Sequence, residues 1–350
     1  MSKVFSIVIL LCVVIGGGML YASNAKTSPL SPLSRTISGA KESILPTPTP
    51  FPFADMTVPY LRARTYESSL GELDQVGSNA NYTSYVTSYT SDGIRVNGLL
   101  TKPTGEEPEG GWPAVVFVRG YIPPTVYRTQ GQYADYVDYI ARNGIVVFKI
   151  DLRGHADSEG EAGGGYFGSD YIVDTLNARA ALQSSGFVNP DGIGLWGHSM
   201  AGNVVLRATA ARPEIKASVI WAGAVYTYLD MQKFGIDDNS YRPPENNNNR
   251  QRRRQLLRDT HGDPTADSAF WKQVAATNYL NDFKGAIEIH HAVDDAVVNI
   301  GYSRDLVELL NDTSVPHELY EYGSGGHNIS GGSFNQAMQR TVKFYKEQLK

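Results

Sequence analysis

The sequence predicts an alternating α/β fold, in which a mostly parallel central sheet carries helices on both faces. Short apolar segments alternate with stretches of helical periodicity from about residue 114 to residue 349. Strands of a parallel sheet are buried on both faces, so they appear as nearly continuous apolar runs, as in residues 144–150. Small or titratable residues follow several of these runs, where the carboxyl ends of parallel strands meet at one edge of the sheet.

The individual elements follow from this alternation. Six strands are predicted, at residues 114–118, 144–151, 192–196, 217–222, 286–291 and 318–322. Helices are predicted at residues 130–142, 171–184, 200–211 and 302–310, with a last helix at about 335–349. Residues 54–81 are expected to form a helical or irregular preface. About 290 residues suit one large domain with a full core, which we assign to residues 54–350.

The first 53 residues have a different composition from the rest. Residues 4–20 are almost wholly apolar, a length between a signal-peptide core and a short membrane span. Small residues around position 25 would permit cleavage, so residues 1–25 are predicted to be a signal peptide or an amino-terminal membrane anchor. Residues 26–53 are rich in Ser, Thr and Pro and are predicted to be an extended linker. We therefore expect an extracytoplasmic protein that is either anchored by one helix or secreted.

Charge and ligand-forming residues exclude several classes of function. The chain has 31 basic and 36 acidic side chains, with a formal net charge of −5, and no stripe of alternating basic and aromatic residues, so no nucleic-acid partner is expected. The one cysteine, Cys12, lies in the apolar amino-terminal run, so no disulfide is expected in the domain. Neighbouring strand residues His290 and His291 point to opposite faces, and we expect neither a metal nor another cofactor.

Residues 193–202 are the strongest functional signal. They read Ile-Gly-Leu-Trp-Gly-His-Ser-Met-Ala-Gly, an apolar strand followed by a turn of small residues and then a helix. A serine hydroxyl is a weak nucleophile in water, and a tight strand-to-helix turn exposes it beside a base and backbone N–H donors. Ser199 stands at that turn. On its own, this pattern also fits an ordinary loop.

An acid and a histidine follow two later strands. The strand at residues 286–291 leads to Asp294 and Asp295, and the strand at residues 318–322 leads through a glycine-rich turn to His327. In a triad of this kind the serine attacks a carbonyl carbon, the histidine transfers the proton, and the aspartate orients the imidazole. The chain order Ser, Asp, His is that of one large group of hydrolases.

With these residues, the chain resembles the α/β-hydrolase superfamily, and within it the catalytic domains of prolyl oligopeptidase-like and dienelactone hydrolase-like serine hydrolases. The resemblance covers about residues 85–350 and also rests on residues 114–121 and 151–158. The family pattern His-Gly-x-x-Asp-x-x-Val fits His291 and Asp295, so the resemblance implies Asp295 as the triad acid and keeps Asp294 as the alternative.

The resemblance also implies an oxyanion hole and a lid. The backbone N–H groups of Tyr121 and Met200 would form the oxyanion hole. An insertion between the sixth and seventh strands of the fold, here about residues 226–284, would form the lid. It includes an arginine-rich run, which we interpret as a solvated helix surface, with substrate or membrane contact as the alternative. The run comprises Arg250, Arg252, Arg253, Arg254 and Arg258.

Arg119 departs from the family, which usually has histidine before the glycine of the oxyanion turn. This residue could favour an anionic substrate group, or it could be a partly exposed arginine whose stem packs on the core. The glycine-rich segment 160–168 lacks a Gly-Lys-Ser/Thr ending, so we interpret it as a flexible loop near the site and not as a phosphate loop.

The expected function is that of a serine hydrolase acting through an acyl-enzyme on a small ester or peptide substrate. We favour a prolyl oligopeptidase-like peptidase that acts on short peptides or related acyl substrates. A carboxylesterase for small or carbohydrate-linked esters is the alternative, since we expect no room for the β-propeller that filters substrates in prolyl oligopeptidase-like enzymes. A catalytically silent ligand-binding surface protein is an alternative of another class.

Overall fold

A computed structural model describes residues 51–235 and 248–350 of the chain. Strands in these ranges form one nine-stranded sheet in the order β1-β2-β3-β5-β4-β6-β7-β8-β9. They are β1 (Asp74–Ser78), β2 (Tyr82–Ser91), β3 (Ile94–Pro103), β4 (Trp112–Val118), β5 (Val146–Ile150), β6 (Val188–His198), β7 (Ala217–Trp221), β8 (Ala286–Ala292) and β9 (His317–Tyr322).

The sheet has a parallel and an antiparallel part. All neighbouring pairs from β5 through β4 and β6 to β9 are parallel, whereas β1 pairs antiparallel with β2, β2 with β3, and β3 with β5. The predicted α/β architecture with a mostly parallel sheet is confirmed. The carboxyl ends of β4, β6, β8 and β9 meet at one edge, which is where the loops of the candidate site begin.

The six predicted strands correspond to β4 through β9, but the antiparallel strands were not predicted. The preface expected for residues 54–81 begins with a 3-10 turn (Ala54–Met56) and a short helix (Val58–Ala63), as predicted, but the expectation is wrong for residues 74–78, which form β1. β2 reads Tyr-Thr-Ser-Tyr-Val-Thr-Ser-Tyr-Thr-Ser, and its residues are only partly buried over most of its length. An antiparallel edge region can keep one face in water, so it lacks the continuous apolar runs that identified the parallel strands.

Helices cover both faces of the sheet. The described helices are α1 (Val58–Ala63), α2 (Ala134–Ala141), α3 (Asp170–Gln183), α4 (Ala201–Ala211), α5 (Tyr228–Phe234), α6 (Asn248–His261), α7 (Ala269–Val274), α8 (Gly301–Asn311) and α9 (Gly332–Gln348). Side chains of α2 and α9 pack in one core with Val115 and Phe117 of β4. Side chains of α3, α4 and α8 pack in the other core with Val116 and Val118. Alternate residues of β4 therefore serve opposite faces, as the period of a strand requires.

The proposed lid interval lies between β7 and β8. Within residues 226–284 the structure describes α5, α6, α7 and a 3-10 turn at Ala276–Asp282, whereas residues 236–247 lie outside the described ranges. A lid function for this interval stays a prediction.

The amino-terminal predictions fall largely outside the description. The signal peptide or anchor (residues 1–25) and residues 26–50 of the predicted linker are not among the described residues. Within the ranges that are described, no helix combines the length and the apolar character needed to cross a membrane.

Candidate active site

Ser199 occupies a strained turn between β6 and α4. Its backbone has a φ of 57°, a left-handed conformation that is uncommon for a residue with a side chain. Two backbone hydrogen bonds hold it: the Ser199 N–H donates to the Trp221 carbonyl at 2.9 Å, and the Ser199 carbonyl accepts from the Gly202 N–H at 2.9 Å. The turn therefore has the strained strand-to-helix geometry that the sequence predicted.

Glycines are required on both sides of Ser199 because the backbone is close-packed there. A Cβ at Gly197 would lie 2.6 Å from the Ala201 carbonyl oxygen, and a Cβ at Gly202 would lie 2.7 Å from the Gly223 Cα. Real Cβ atoms do not approach so closely, so neither position accepts a larger residue without backbone movement. Ala201, which stands where the motif usually has glycine, is fully buried and is accommodated.

His327 is paired with Asp295. Its Nδ1 lies 2.8 Å from Asp295 Oδ2, and the Asp295 side chain is fully buried. The second carboxylate oxygen, Oδ1, accepts the backbone N–H groups of Val297 at 2.8 Å and Val298 at 3.0 Å. Burial alone would raise the pKa of Asp295, but hydrogen bonds from His291 and His327 outweigh it and lower the pKa below the usual range. The carboxylate thus stays ionised beside the imidazole.

Asp294, the alternative acid, uses its side chain to bind the backbone of the loop that carries His327. Its Oδ1 accepts the Gly326 N–H at 2.8 Å, and its Oδ2 accepts the Gly325 N–H at 3.3 Å. The two adjacent aspartates therefore divide their contacts. Asp295 binds the His327 side chain, and Asp294 holds the turn that precedes it. From the sequence, both aspartates were candidates for the triad acid, and no sequence feature indicated that Asp294 would hold the backbone of the turn.

A hydrogen-bond chain through His198 joins three loops of the site, and the sequence did not reveal it. His198 Nε2 lies 2.8 Å from the His327 carbonyl oxygen, and its Nδ1 lies 2.6 Å from the Tyr133 hydroxyl. The same hydroxyl accepts the Gly120 N–H at 3.0 Å. A carbonyl oxygen can only accept, which assigns the hydrogen to Nε2 and leaves Nδ1 to accept from Tyr133.

Burial keeps the His198 ring neutral. Desolvation, together with the nearby His327, lowers the pKa of His198 to about 3. The two imidazole rings are close, with 4.6 Å between their centroids. Because the ring stays uncharged at ordinary pH, the assigned hydrogen-bond directions persist across the range in which His327 would act as a base.

The predicted oxyanion turn, residues 119–121, lies against Ser199. A Cβ placed on Gly120 would be 3.2 Å from the Ser199 Cβ and 3.0 Å from His198 Nδ1. Tyr121 directly follows this glycine, and Met200 directly follows Ser199 at the N-cap of α4. The two predicted oxyanion donors, the N–H groups of Tyr121 and Met200, thus belong to chain segments that meet beside the serine.

Arg119 is fully buried, so the predicted partly exposed arginine is wrong. Its guanidinium stacks over the Tyr127 ring with Cζ 3.9 Å from the centroid, and it donates to the carbonyl oxygens of Gly120 at 3.0 Å and Asp151 at 2.8 Å. Buried carbonyls supply the acceptors that make burial of this cation possible. The guanidinium is therefore engaged beneath the oxyanion turn.

The segment 160–168 contacts the turn after the serine. A Cβ on Gly165 would lie 3.2 Å from Met200 Sδ, and the Tyr228 hydroxyl of α5 donates to the Tyr166 carbonyl. Arg254 of α6 has its guanidinium 4.8 Å from the ring centroid of Phe167. The segment is thus near the site, as predicted, and α5 and α6 both contact it.

Other residues of the arginine run make surface ion pairs. Arg253 lies 3.3 Å from Asp55, and Arg258 lies 3.3 Å from Asp263. Both pairs are substantially exposed, in keeping with the solvated helix surface that the sequence favoured. The side chain of Arg250 lies outside the described part of the chain.

His290 and His291 have separate partners. His290 contacts Glu288 at 2.8 Å and the Tyr322 hydroxyl at 2.9 Å, whereas His291 contacts the Ser303 hydroxyl at 2.7 Å. Over residues 51–235 and 248–350, no group of three or more His, Cys, Asp or Glu residues is arranged to hold a metal ion.

Comparison with known proteins gives the family context of this site. A model of the serine aminopeptidase S33 family matches residues 114–237, which include β4 and the Ser199 turn. An uncharacterized peptidase, YtmA, of Bacillus subtilis (strain 168) is 26% identical over 247 residues, covering 69% of this chain and 85% of that protein.

Solved structures share the fold at low sequence identity. Acetyl xylan esterase 1 from Thermoanaerobacterium sp. JW/SL YS485 is 18% identical with a TM-score of 0.57, and the match covers 82% of this chain and 91% of that one. Dipeptidyl peptidase 4 of Porphyromonas gingivalis is 21% identical with a TM-score of 0.58, and the match covers 77% of this chain but 36% of the peptidase. Peptidases and esterases are therefore both among the proteins that this chain is similar to.

Proposed function

Since the chain is a serine hydrolase of the α/β-hydrolase superfamily, we propose that Ser199, His327 and Asp295 form its catalytic triad and that it cleaves short peptides or related acyl substrates. The observation that carries this proposal is the pairing of two features: Ser199 in a left-handed turn and the 2.8 Å contact between His327 and a buried Asp295. An ordinary loop requires neither a serine in the left-handed conformation nor a histidine paired with a buried carboxylate.

The proposed reaction proceeds through an acyl-enzyme. Ser199 Oγ attacks the substrate carbonyl carbon while His327 Nε2 accepts the hydroxyl proton. His327 then protonates the leaving group. In the second half of the reaction, His327 accepts a proton from water, which attacks the acyl-enzyme carbonyl carbon and releases the acid and free Ser199. Asp295 orients the imidazole through Nδ1 and stabilises its positive form, and the lowered pKa of this carboxyl group supports that role.

Stabilisation of the oxyanion is assigned to the backbone N–H groups of Tyr121 and Met200. Two hydrogen bonds support the fixed position of the segment that carries Tyr121: the Tyr133 hydroxyl accepts from the Gly120 N–H, and Arg119 donates to the Gly120 carbonyl. Donors that are held before substrate binds need no reorganisation when charge develops, and this is the source of their catalytic effect.

A peptidase is the first candidate, because the matching family model is that of a serine aminopeptidase and the Bacillus subtilis relative is described as a peptidase. An esterase is the second candidate, because the similarity to acetyl xylan esterase 1 extends over 91% of that enzyme's chain. A silent ligand-binding protein is disfavoured, since the serine, the base and the acid are all present.

We also propose that the enzyme acts outside the cytoplasm, either anchored or released. The support is the apolar run at residues 4–20 followed by the Ser-, Thr- and Pro-rich stretch to residue 53. Alkaline carbonate extraction of cell membranes, combined with sequencing of the mature amino terminus, separates the two forms. A cytoplasmic protein with an intact amino terminus would contradict the proposal.

Substrate class is tested with the full chain on short-chain p-nitrophenyl esters and on aminoacyl and prolyl p-nitroanilides, with Ser199→Ala as the matched control. Anilide cleavage that depends on Ser199 would support the peptidase. Ester turnover without anilide cleavage would support the esterase, since anilides have the poorer leaving group. Turnover of neither substrate would contradict both proposals.

A further inference from the structure

His291 contacts the proposed triad acid, Asp295, at the same carboxylate oxygen as His327. It is a fully buried residue of β8, four positions before Asp295. Its Nε2 lies 3.2 Å from Asp295 Oδ2 and 3.0 Å from the Val298 carbonyl oxygen. The same Oδ2 atom is 2.8 Å from His327 Nδ1. Asp295 Oδ2 is therefore shared by two histidines.

The hydrogen on His291 can be assigned from its surroundings. Both atoms facing Nε2, a carboxylate oxygen and a carbonyl oxygen, can only accept hydrogen bonds, so Nε2 must carry a hydrogen. Its Nδ1 lies 2.7 Å from the Ser303 hydroxyl of α8, which fixes the rotation of the ring. The sheet and α8 thus hold an N–H group aimed at the acid and at the backbone of its turn.

We propose that His291 is a positioning residue for Asp295. Its Nε2–H is divided between the carboxylate and the Val298 carbonyl, and the Val298 N–H in turn binds Asp295 Oδ1 at 3.0 Å. The carboxylate is thereby held at both oxygens, and Oδ2 is directed at His327. This inference rests on the proposed function, because it gives His291 its role through the proposed triad.

The arrangement has an electrostatic consequence for His327. A donor on Oδ2 withdraws part of the negative charge that would otherwise stabilise the His327 imidazolium. Loss of that donor should therefore favour protonated His327 and move its titration midpoint to higher pH. The role is separable from simple packing, because an apolar residue of similar size would fill the space without restoring the donor.

Other titratable groups lie near His291, Asp295 and His327. His198 lies against His327 but stays neutral, since burial and His327 lower its pKa to about 3. Asp294 contacts the backbone of the same turn. Glu321 of β9 is bound by Arg304 of α8 at 2.7 Å, and hydrogen bonding to that arginine lowers the pKa of Glu321.

The test compares His291→Gln with His291→Met in the full-length protein. Glutamine can place an N–H near the original Nε2, whereas methionine has similar length and no donor. The titration of His327 is followed by NMR on protein with 15N-labelled histidine, and its signal is identified by its loss in His327→Gln. Thermal unfolding is measured for each variant.

We expect the His327 titration midpoint to rise by about half a unit or more in His291→Met, as the loss of one hydrogen bond predicts. His291→Gln should remain near the wild type. On an ester that the wild-type protein hydrolyses, kcat should fall about tenfold in His291→Met while KM changes little. Equal midpoints in wild type and a folded His291→Met would overturn the inference.

A second variant keeps the inference testable if His291→Met does not fold. Ser303→Ala retains the histidine but removes the hydroxyl that orients its ring, and it should move the His327 midpoint in the same direction by a smaller amount. An unchanged midpoint in that variant would count against the inference. The NMR titration does not need turnover, so a silent protein would refute the proposed function without deciding the role of His291.

Discussion

The His198 ring donates its Nε2–H to the carbonyl oxygen of His327 across 2.8 Å. The residue before the proposed nucleophile therefore holds the loop that carries the proposed base. Through Nδ1 the same ring accepts from Tyr133, which also binds the Gly120 N–H of the oxyanion turn. Three loops that are far apart in the sequence are joined through one neutral, buried imidazole, and this connection leads to the first prediction.

Tyr133→Phe should lower kcat about ten- to a hundredfold and change KM by less than about threefold. The substitution leaves the buried Gly120 N–H without its partner, a cost of about 1–3 kcal/mol, and it loosens the oxyanion turn more than it affects substrate binding. Steady-state kinetics on a p-nitrophenyl ester measures the effect. Tyr139→Phe, within helix α2, which Tyr133 directly precedes, is the control and should behave as wild type. A KM effect larger than the kcat effect would contradict this assignment.

The burial of His198 also leads to a prediction of how the free energy of unfolding depends on pH. Burial and His327 lower the pKa of His198 to about 3, whereas an unfolded histidine has a pKa of about 6.5. Between these values the unfolded chain binds a proton that the folded chain does not, so stability falls as pH falls through this window. His198 should therefore contribute about 2 kcal/mol to the loss of unfolding free energy between pH 7 and pH 5.

Urea unfolding of wild type and His198→Gln at both pH values checks this contribution. The variant should be less stable at pH 7 but should lose about 2 kcal/mol less than wild type on acidification. His317→Gln, at a partly exposed histidine, is the control. The same pH dependence in wild type and His198→Gln would contradict the neutral buried ring.

The two adjacent aspartates should differ sharply when they are substituted. Asp295→Asn should reduce kcat by about 10³- to 10⁴-fold, because an amide favours the wrong tautomer of His327. Asp294→Asn should reduce kcat by less than about tenfold, because its amide oxygen can still accept the Gly326 N–H. Both variants are assayed on the same ester at neutral pH. Comparable losses in the two would exclude a division of roles between them.

The sequence predicted the parallel part of the fold because parallel strands are buried on both faces. β4 through β9 could be recognised as apolar runs, whereas the half-exposed residues of β2 left no such signal. Ser199, His327 and the two aspartates could be proposed as site residues because each lies in a turn that follows a strand. The choice between Asp294 and Asp295 depended on a family pattern, since both residues occupy the same turn.

Contacts between distant segments could not be predicted in the same way. The roles of Tyr133 and His198 depend on contact between the residue that precedes α2 and the end of β6, and a histidine before the serine has no local feature that reveals its partners. Arg119 was misjudged because arginine is mostly exposed in proteins, and the buried carbonyls of Gly120 and Asp151 that bind it belong to different strand ends.

Arg119 should therefore matter for stability and for the oxyanion turn, and not for substrate charge. Arg119→Met should lower the unfolding free energy by about 1–3 kcal/mol, because it leaves the buried carbonyl groups of Gly120 and Asp151 without their donor. Arg119→Lys keeps the charge but cannot bind both carbonyl groups in the same geometry, so its unfolding free energy should lie between those of wild type and Arg119→Met. The ratio of turnover on neutral and anionic acyl esters should stay constant in Arg119→Lys. A selective loss of turnover on the anionic ester would instead indicate contact with substrate.

The central claim is that Ser199 is an activated nucleophile. The most direct test is labelling of the full chain with a fluorophosphonate probe, followed by mass spectrometry of the labelled peptide. We expect stoichiometric modification of Ser199 in the wild type, none in Ser199→Ala, and much slower labelling in His327→Gln. Labelling that persists in Ser199→Ala, or a folded wild-type protein that does not react at all, would contradict the claim.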